Sequence, residues 1–188
     1  MALLHKTEIR PGKLELLSGW LPAQSWYSGP SEPEVSRVGA ARFDDPAGEV
    51  GLEIILVRVG DGPVLNVPLT YRGAPLDGAA EFLVGTMEHG VLGPRWVYDA
   101  AGDPIFAQVL ADAIRNGERQ AVEEVHGGGT VFVREPDLQL RGSGSGATDA
   151  SVVELSRTPQ AVPAPGEAVL TGQWAGLDAP IVLARLIP

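Results

Sequence analysis

The sequence predicts an α+β fold built on antiparallel β-sheet, with one or two helices and a second β-rich subdomain after them. Three observations predict it. Apolar residues alternate with period two over several consecutive segments, Gly 24 and Pro 16 punctuate those segments, and a single amphipathic helix interrupts an otherwise strand-like chain. Strands, then helix, then strands again argue against alternating βαβ units and for segregated layers.

The strand signals are taken in chain order. EVSRVGAARF (34–43), VGLEIILVRV (50–59) and PVLNVPLTYR (63–72) each alternate and are each bounded by Gly, Pro or Asp. The joint DDPAGEVG carries turn chemistry in Asp45-Pro46 and Gly48, and GDGP at 60–63 is a tight-hairpin signal, so both predict meander connections. EFLVGTMEHG and RWVYDA continue the pattern, with the turn between Gly90 and Pro94.

The helix has both ends marked. Asp103 is the N-cap and Pro104 occupies the first helical position. Ile105, Phe106, Val109, Leu110, Ala113 and Ile114 form one apolar face, and Asn116-Gly117 supplies the stop. ERQAVEEVHG (118–127) is a weaker helical candidate. From Gly127 the texture returns to β: TVFVRE, DLQLRG, SVVELSR, AVLTGQW and IVLARLIP, split by GSGSGATDA and TPQAVPAPGE. The expected organisation is residues 1–117 as one unit and 118–188 as a β-rich C-terminal subdomain.

Composition excludes several functions. With 188 residues and 44% hydrophobic content, the chain is long enough to bury a core without staples. It has no cysteine, which removes disulfides, thiolate metal sites and a cysteine nucleophile. The net charge is −10, and Lys6 and Lys13 are the only lysines, so nucleic acid and anionic membrane are poor partners. No secretory h-region and no run of 18 or more apolar residues occurs, and the chain reads as cytoplasmic.

Motif by motif, catalytic machinery fails to assemble. HGGG (126–129) matches an oxyanion-hole motif but has no downstream G-x-S-x-G elbow, since GSGSG (142–146) has glycine at its centre. GSGSGA (142–147) satisfies G-x-G-x-x-A, but a strand rather than a helix is expected after it, which defeats the dinucleotide reading. A kinase-type hairpin would need a later lysine, and IVLARLIP offers Arg185. His5, His89 and His126 belong to no paired ligand motif. No cofactor and no metal is expected.

GTMEHGVLGPRWVYDAAGDPIF (85–106) holds the densest set of functional groups. Glu88 and His89 end one strand, and Arg95, Trp96, Tyr98 and Asp99 occupy the next, so a hairpin brings them within reach of one another. Trp96 and Tyr98 are expected on one, core-facing side, with Arg95, Val97 and Asp99 on the other. Glu88, His89, Arg95, Trp96 and Asp99 are therefore the candidate cluster, as a ligand site or as a structural polar network.

GWLPAQSWYSG (19–29), DPAGEVGLEIILVRVG, VPLTYRGAPLDGA (67–79), GTMEHGVLGPRWVYDAAGDPIF and the helix after it together resemble the N-terminal cap domain of maltokinases and related aminosugar kinases, over about residues 14–117. GSGSGATDASVVEL and LTGQWAGLDAPIVLARL are similar, more faintly, to the segment leading into the kinase's intermediate subdomain. The resemblance implies a curved antiparallel sheet packed with helices. It also implies a position beside a nucleotide-binding lobe, with no catalytic residue contributed. The chain departs from the family pattern at Ser25, where the family has Arg, and at Gly29-Pro30, where Gly-Lys is frequent.

Three functional expectations follow. The first is a stand-alone, non-catalytic cap-like protein that binds or regulates a partner in trehalose, maltose or glycogen metabolism. The second is a small-ligand or carbohydrate-binding module with Trp20, Trp26 or Trp174 as stacking platforms and Asp99 or Arg95 as anchors. The third is an enzyme using Glu88, His89 and Asp99 as acid/base groups. A homodimer is a further expectation, because a cap without its kinase neighbour exposes an apolar strip.

Overall fold

The structure is a computed structural model that describes residues 2–5, 7–127, 130–144 and 152–188. Antiparallel sheet dominates, with 42% of the chain in strands against 18% in helix. The elements in order are β1 (Ala2–His5), β2 (Ile9–Arg10), α1 (Lys13–Trp20), β3 (Val35–Phe43), β4 (Gly51–Val59), β5 (Val64–Asn66), β6 (Leu69–Arg72), β7 (Leu83–His89), β8 (Gly93–Asp99), α2 (Pro104–Asn116), β9 (Glu123–Gly127), β10 (Thr130–Arg134), β11 (Leu138–Gly142), β12 (Val152–Leu155), β13 (Val169–Trp174) and β14 (Ile181–Ile187).

Three sheets form. The largest runs β2-β7-β8-β6-β4-β3, with β5 also paired to β4; a four-stranded sheet runs β11-β13-β14-β12; a small one runs β1-β9-β10. The β3–β4 joint and the GDGP hairpin form where expected. Asp45 accepts the N–H groups of Ala47, Glu49 and Val50, and Gly62 N donates to the Val59 carbonyl at 2.9 Å.

Four readings need correction. PVLNVPLTYR is two strands, because Pro68 has no N–H to offer the ladder and the chain steps from one half of β4 to the other across it. The meander is broken once: β6 pairs with β8, so the β7–β8 hairpin is inserted with β7 outermost of the two. ERQAVEEVHG is no helix; its second half is β9, held in parallel register by β1 (Leu4↔Val125) and antiparallel by β10. Finally, KLELLSGW forms α1, a helix that the pattern did not announce.

α2 matches its signals. The Asp103 carboxylate accepts from Ile105 N at 3.0 Å, and Gly117 takes the left-handed conformation (φ 70°), which glycine adopts without a Cβ penalty. Phe106, Leu110, Ala113 and Ile114 are buried.

Among the described residues, two apolar cores lie on opposite faces of the large sheet, as the alternation of β4 requires. Leu52, Ile54 and Leu56 join α2 and the four-stranded sheet through Leu138, Leu140, Leu170 and Leu183. Ile55 and Val57 join α1 through Leu17 and Trp20, together with Met87 and Val97. The first core therefore draws residues from both sides of position 117. Further ties cross the same line: Asn66 Nδ2 donates to the carbonyls of Ser156 and Leu183, and Arg37 forks onto Asp137 at 2.6 and 2.8 Å. Among the described residues, no helix is long and apolar enough to cross a membrane.

Candidate functional site

Directly opposed residues of an antiparallel pair share a face. Arg42 opposes Glu53, Tyr71 opposes Val97 and Arg95 opposes Met87, so these side chains belong to the α1-side face of the large sheet. At one end of that face lies a groove of about 700 Å³. Ile9, Met87, His89, Leu92 and Arg95 line it from the β2–β7–β8 end, the 44–50 turn lines it from the other, and Lys13, Arg42 and Tyr71 also border it.

Glu53 is the centre of the site. It sits mid-strand at 5% exposure, where a charge must be paired or lost. Lys13 Nζ donates to its two oxygens at 2.8 and 2.7 Å, the Tyr71 hydroxyl donates to Oε2, and Arg42 Nη2 lies 3.7 Å from Oε1. Burial works against the carboxylate's charge, but Lys13 and then Arg42 outweigh it and bring Glu53 down to about 2. The same burial lowers Lys13 despite the attraction of Glu53. Tyr71 is raised well above its ordinary value, first by burial and then by the Glu53 charge. Both cations also stand over the Tyr71 ring, Lys13 at 5.2 Å and Arg42 at 5.8 Å from its centre.

The residues expected to cluster are distributed. His89 and Arg95 both line the groove. His89 Nδ1 accepts from Val91 and Leu92 N, at 3.3 and 3.1 Å, and so closes the hairpin turn. Glu88 is exposed and does not line the groove; it opposes Pro94. Trp96 is half-buried on the other face, opposite Arg72 and Thr86. Its face-mate Tyr98 is buried, with its hydroxyl accepting from Leu76 N at 2.9 Å. Asp99 shares a face with Arg95 but stands at the far end of β8, where Arg157 Nη2 donates to it and the guanidinium covers Trp26 at 4.7 Å.

Glu88, His89 and Asp99 thus share no pocket. Nor are the tryptophans free platforms: Trp20 is buried, Trp26 lies between Trp20 and Arg157, and Trp174 packs on the α2-side core. In HGGG and GSGSGA, residues 128–129 and 145–147 lie outside the described residues. Among the described residues, no three His, Asp or Glu side chains gather into a set fit to hold a metal ion.

Sequence reasoning missed the Lys13–Glu53–Tyr71–Arg42 cluster. The available signal was Glu53 inside the apolar run LEIILV of β4, together with one of two lysines placed immediately after Pro11-Gly12.

The GWLP start, the β3–β4 turn and the hairpin that ends at the α2 cap form one contiguous unit, and a comparison with known families matches that stretch. Residues 20–103 match the maltokinase N-terminal cap domain. The matched cap segment contains β3 to β8 and three of the four cluster residues, Glu53, Tyr71 and Arg42; Lys13 precedes it and α2 follows it. It lies within the 14–117 stretch that carries the resemblance. That domain is the N-terminal cap of the maltokinases, and the match covers under half of the chain. No curated protein matches the chain.

Proposed function

We propose that this chain is a non-catalytic, cap-type protein that serves as a binding or regulatory partner in trehalose, maltose or glycogen metabolism. One observation carries the non-catalytic part. Among the described residues, the four buried carboxylates are each held by a cation of the same chain: Glu53 by Lys13, Asp99 by Arg157, Asp103 by Arg72 and Glu123 by Arg134. A general acid or base needs a pKa near the working pH and a reachable proton. Glu53, at about 2 and capped by Lys13 and Tyr71, offers neither.

The match over residues 20–103 supports the metabolic setting. The test is affinity purification of the tagged chain under crosslinking, with mass-spectrometric identification of bound proteins. Enrichment of a saccharide-processing enzyme, abolished when the tag is absent, is the expected result. Nucleotide-dependent phosphorylation of a sugar by the purified chain alone would overturn the reading.

A further inference from the structure

The groove beside the Glu53 cluster is bordered by three cations, Lys13, Arg42 and Arg95, and three acids, Asp44, Asp45 and Glu49, so its ligand preference depends on which of these are already engaged. Lys13 is committed to Glu53 through both carboxylate oxygens, and Arg42 is shared between Glu53 and the Tyr71 ring. Asp45 is turned back onto its own turn, with Oδ1 accepting from Ala47 N and Oδ2 from Glu49 and Val50 N. Asp44 has interactions of its own, and Glu49 is exposed on the 44–50 turn.

Among the cations Arg95 is the exception. It is half-buried, pairs with no carboxylate among the described residues, and makes one long hydrogen bond, 3.5 Å, to the neighbouring Pro94 carbonyl. A glycine leaves room for it: a Cβ at residue 73 would lie 2.8 Å from Arg95 Nη1, so a larger residue there would displace the guanidinium from its present place. Beside it the groove is apolar, with Met87, Leu92 and Ile9.

We propose that this groove binds a small organic carboxylate whose planar group pairs with the Arg95 guanidinium while its apolar body lies against Met87, Leu92 and Ile9. A guanidinium offers two parallel N–H donors that match a carboxylate's two oxygens, and an apolar wall with a few placed polar groups is the usual composition of a small-ligand pocket. The groove's volume is within the range of such pockets. This inference is independent of the protein-partner reading, and either stands without the other.

The test uses the full chain, with benzoate as probe, followed by titration calorimetry and by the NMR signals of Met87 and His89. Saturable binding is expected, with benzyl alcohol inert at the same concentrations. Losing a charge-assisted pair costs about 1.5–3 kcal/mol, so R95Q should weaken benzoate about tenfold or more. R95K keeps the charge but loses the fork, and should also bind less tightly than the parent. G73A, which keeps every charge but displaces the guanidinium, should weaken binding as well, and thermal melts of each variant verify folding.

Absence of saturable benzoate binding would overturn the proposal, as would binding that R95Q leaves unchanged. Inorganic phosphate binding more tightly than benzoate, and equally sensitive to R95Q, would overturn the assignment of the ligand as a carboxylate.

Discussion

Arg72 and Asp103 meet fork to fork, Nε to Oδ2 and Nη2 to Oδ1, both at 2.7 Å, while the same Oδ1 caps α2 through Ile105 N. One carboxylate thereby ties the start of α2 to the end of β6. Burial opposes the charge, but the Arg72 hydrogen bonds prevail and hold Asp103 below the usual carboxylate range. D103A removes the cap and leaves Arg72, 19% exposed at its side chain, without its partner. We expect a loss of about 2–4 kcal/mol in urea unfolding, and roughly half of that for D103N, which retains a capping oxygen.

The Lys13–Glu53 pair makes a different prediction because its carboxylate is buried while its ammonium is half-buried. K13M leaves a buried carboxylate with only Arg42 and Tyr71 and is expected to cost about 3–5 kcal/mol, whereas E53L leaves a half-buried ammonium and Arg42 without their carboxylate and is expected to cost less. K13M/E53L together should cost less than the sum, since the buried carboxylate goes with its nearest cation and only Arg42 is left without it. A double-mutant cycle measured by denaturation checks this; additive costs would show the two residues to be uncoupled.

Legibility in the sequence followed how local each determinant is. α2 was readable in full because Asp103, Pro104 and Gly117 act within one turn of their own helix ends. The β4 strand was readable because its alternation is regular enough to feed two cores, Leu52, Ile54 and Leu56 to one and Ile55 and Val57 to the other. α1 was not, since Gly12 supplies no side-chain cap and Ser18-Gly19 interrupts its apolar stripe; it is held by packing on the sheet. The site was half legible. His89 and Arg95 are neighbours across one hairpin, whereas Lys13 and Glu53 lie 40 residues apart and Asp99 and Arg157 lie 58 apart, separations that no local pattern encodes.

Gly142, at the end of β11, is required by a close approach rather than by its backbone angles. A Cβ there would stand 1.9 Å from the Ala113 carbonyl oxygen and 2.9 Å from the Ile114 Cα, both parts of the α2 backbone. Neither can swing aside as a side-chain tip does. G142A is therefore expected to push α2 off the four-stranded sheet and to lower the melting temperature by about 10 °C or more, equivalent to a few kcal/mol. The exposed Gly166, where an added methyl would meet nothing within 4 Å but φ is 81°, provides a contrasting case, in which alanine costs only local strain.

Acid stability follows from the sign of the carboxylate shifts. Glu53 titrates at about 2 in the folded chain against an ordinary value of 4.5, and Asp45, Asp103 and Asp137 are lowered as well. Between the ordinary and the folded values the unfolded chain binds more protons, so stability falls as pH falls. Above about pH 5 these groups contribute their full stabilisation. On acidification it is lost progressively, reaching roughly 3 kcal/mol from Glu53 alone by pH 2. Urea unfolding of the parent chain from pH 6 to pH 2.5 should show this decline. E53Q, neutral throughout, should begin less stable and decline less steeply, so that the two curves converge at low pH; parallel curves would remove Glu53 as a source of the acid sensitivity.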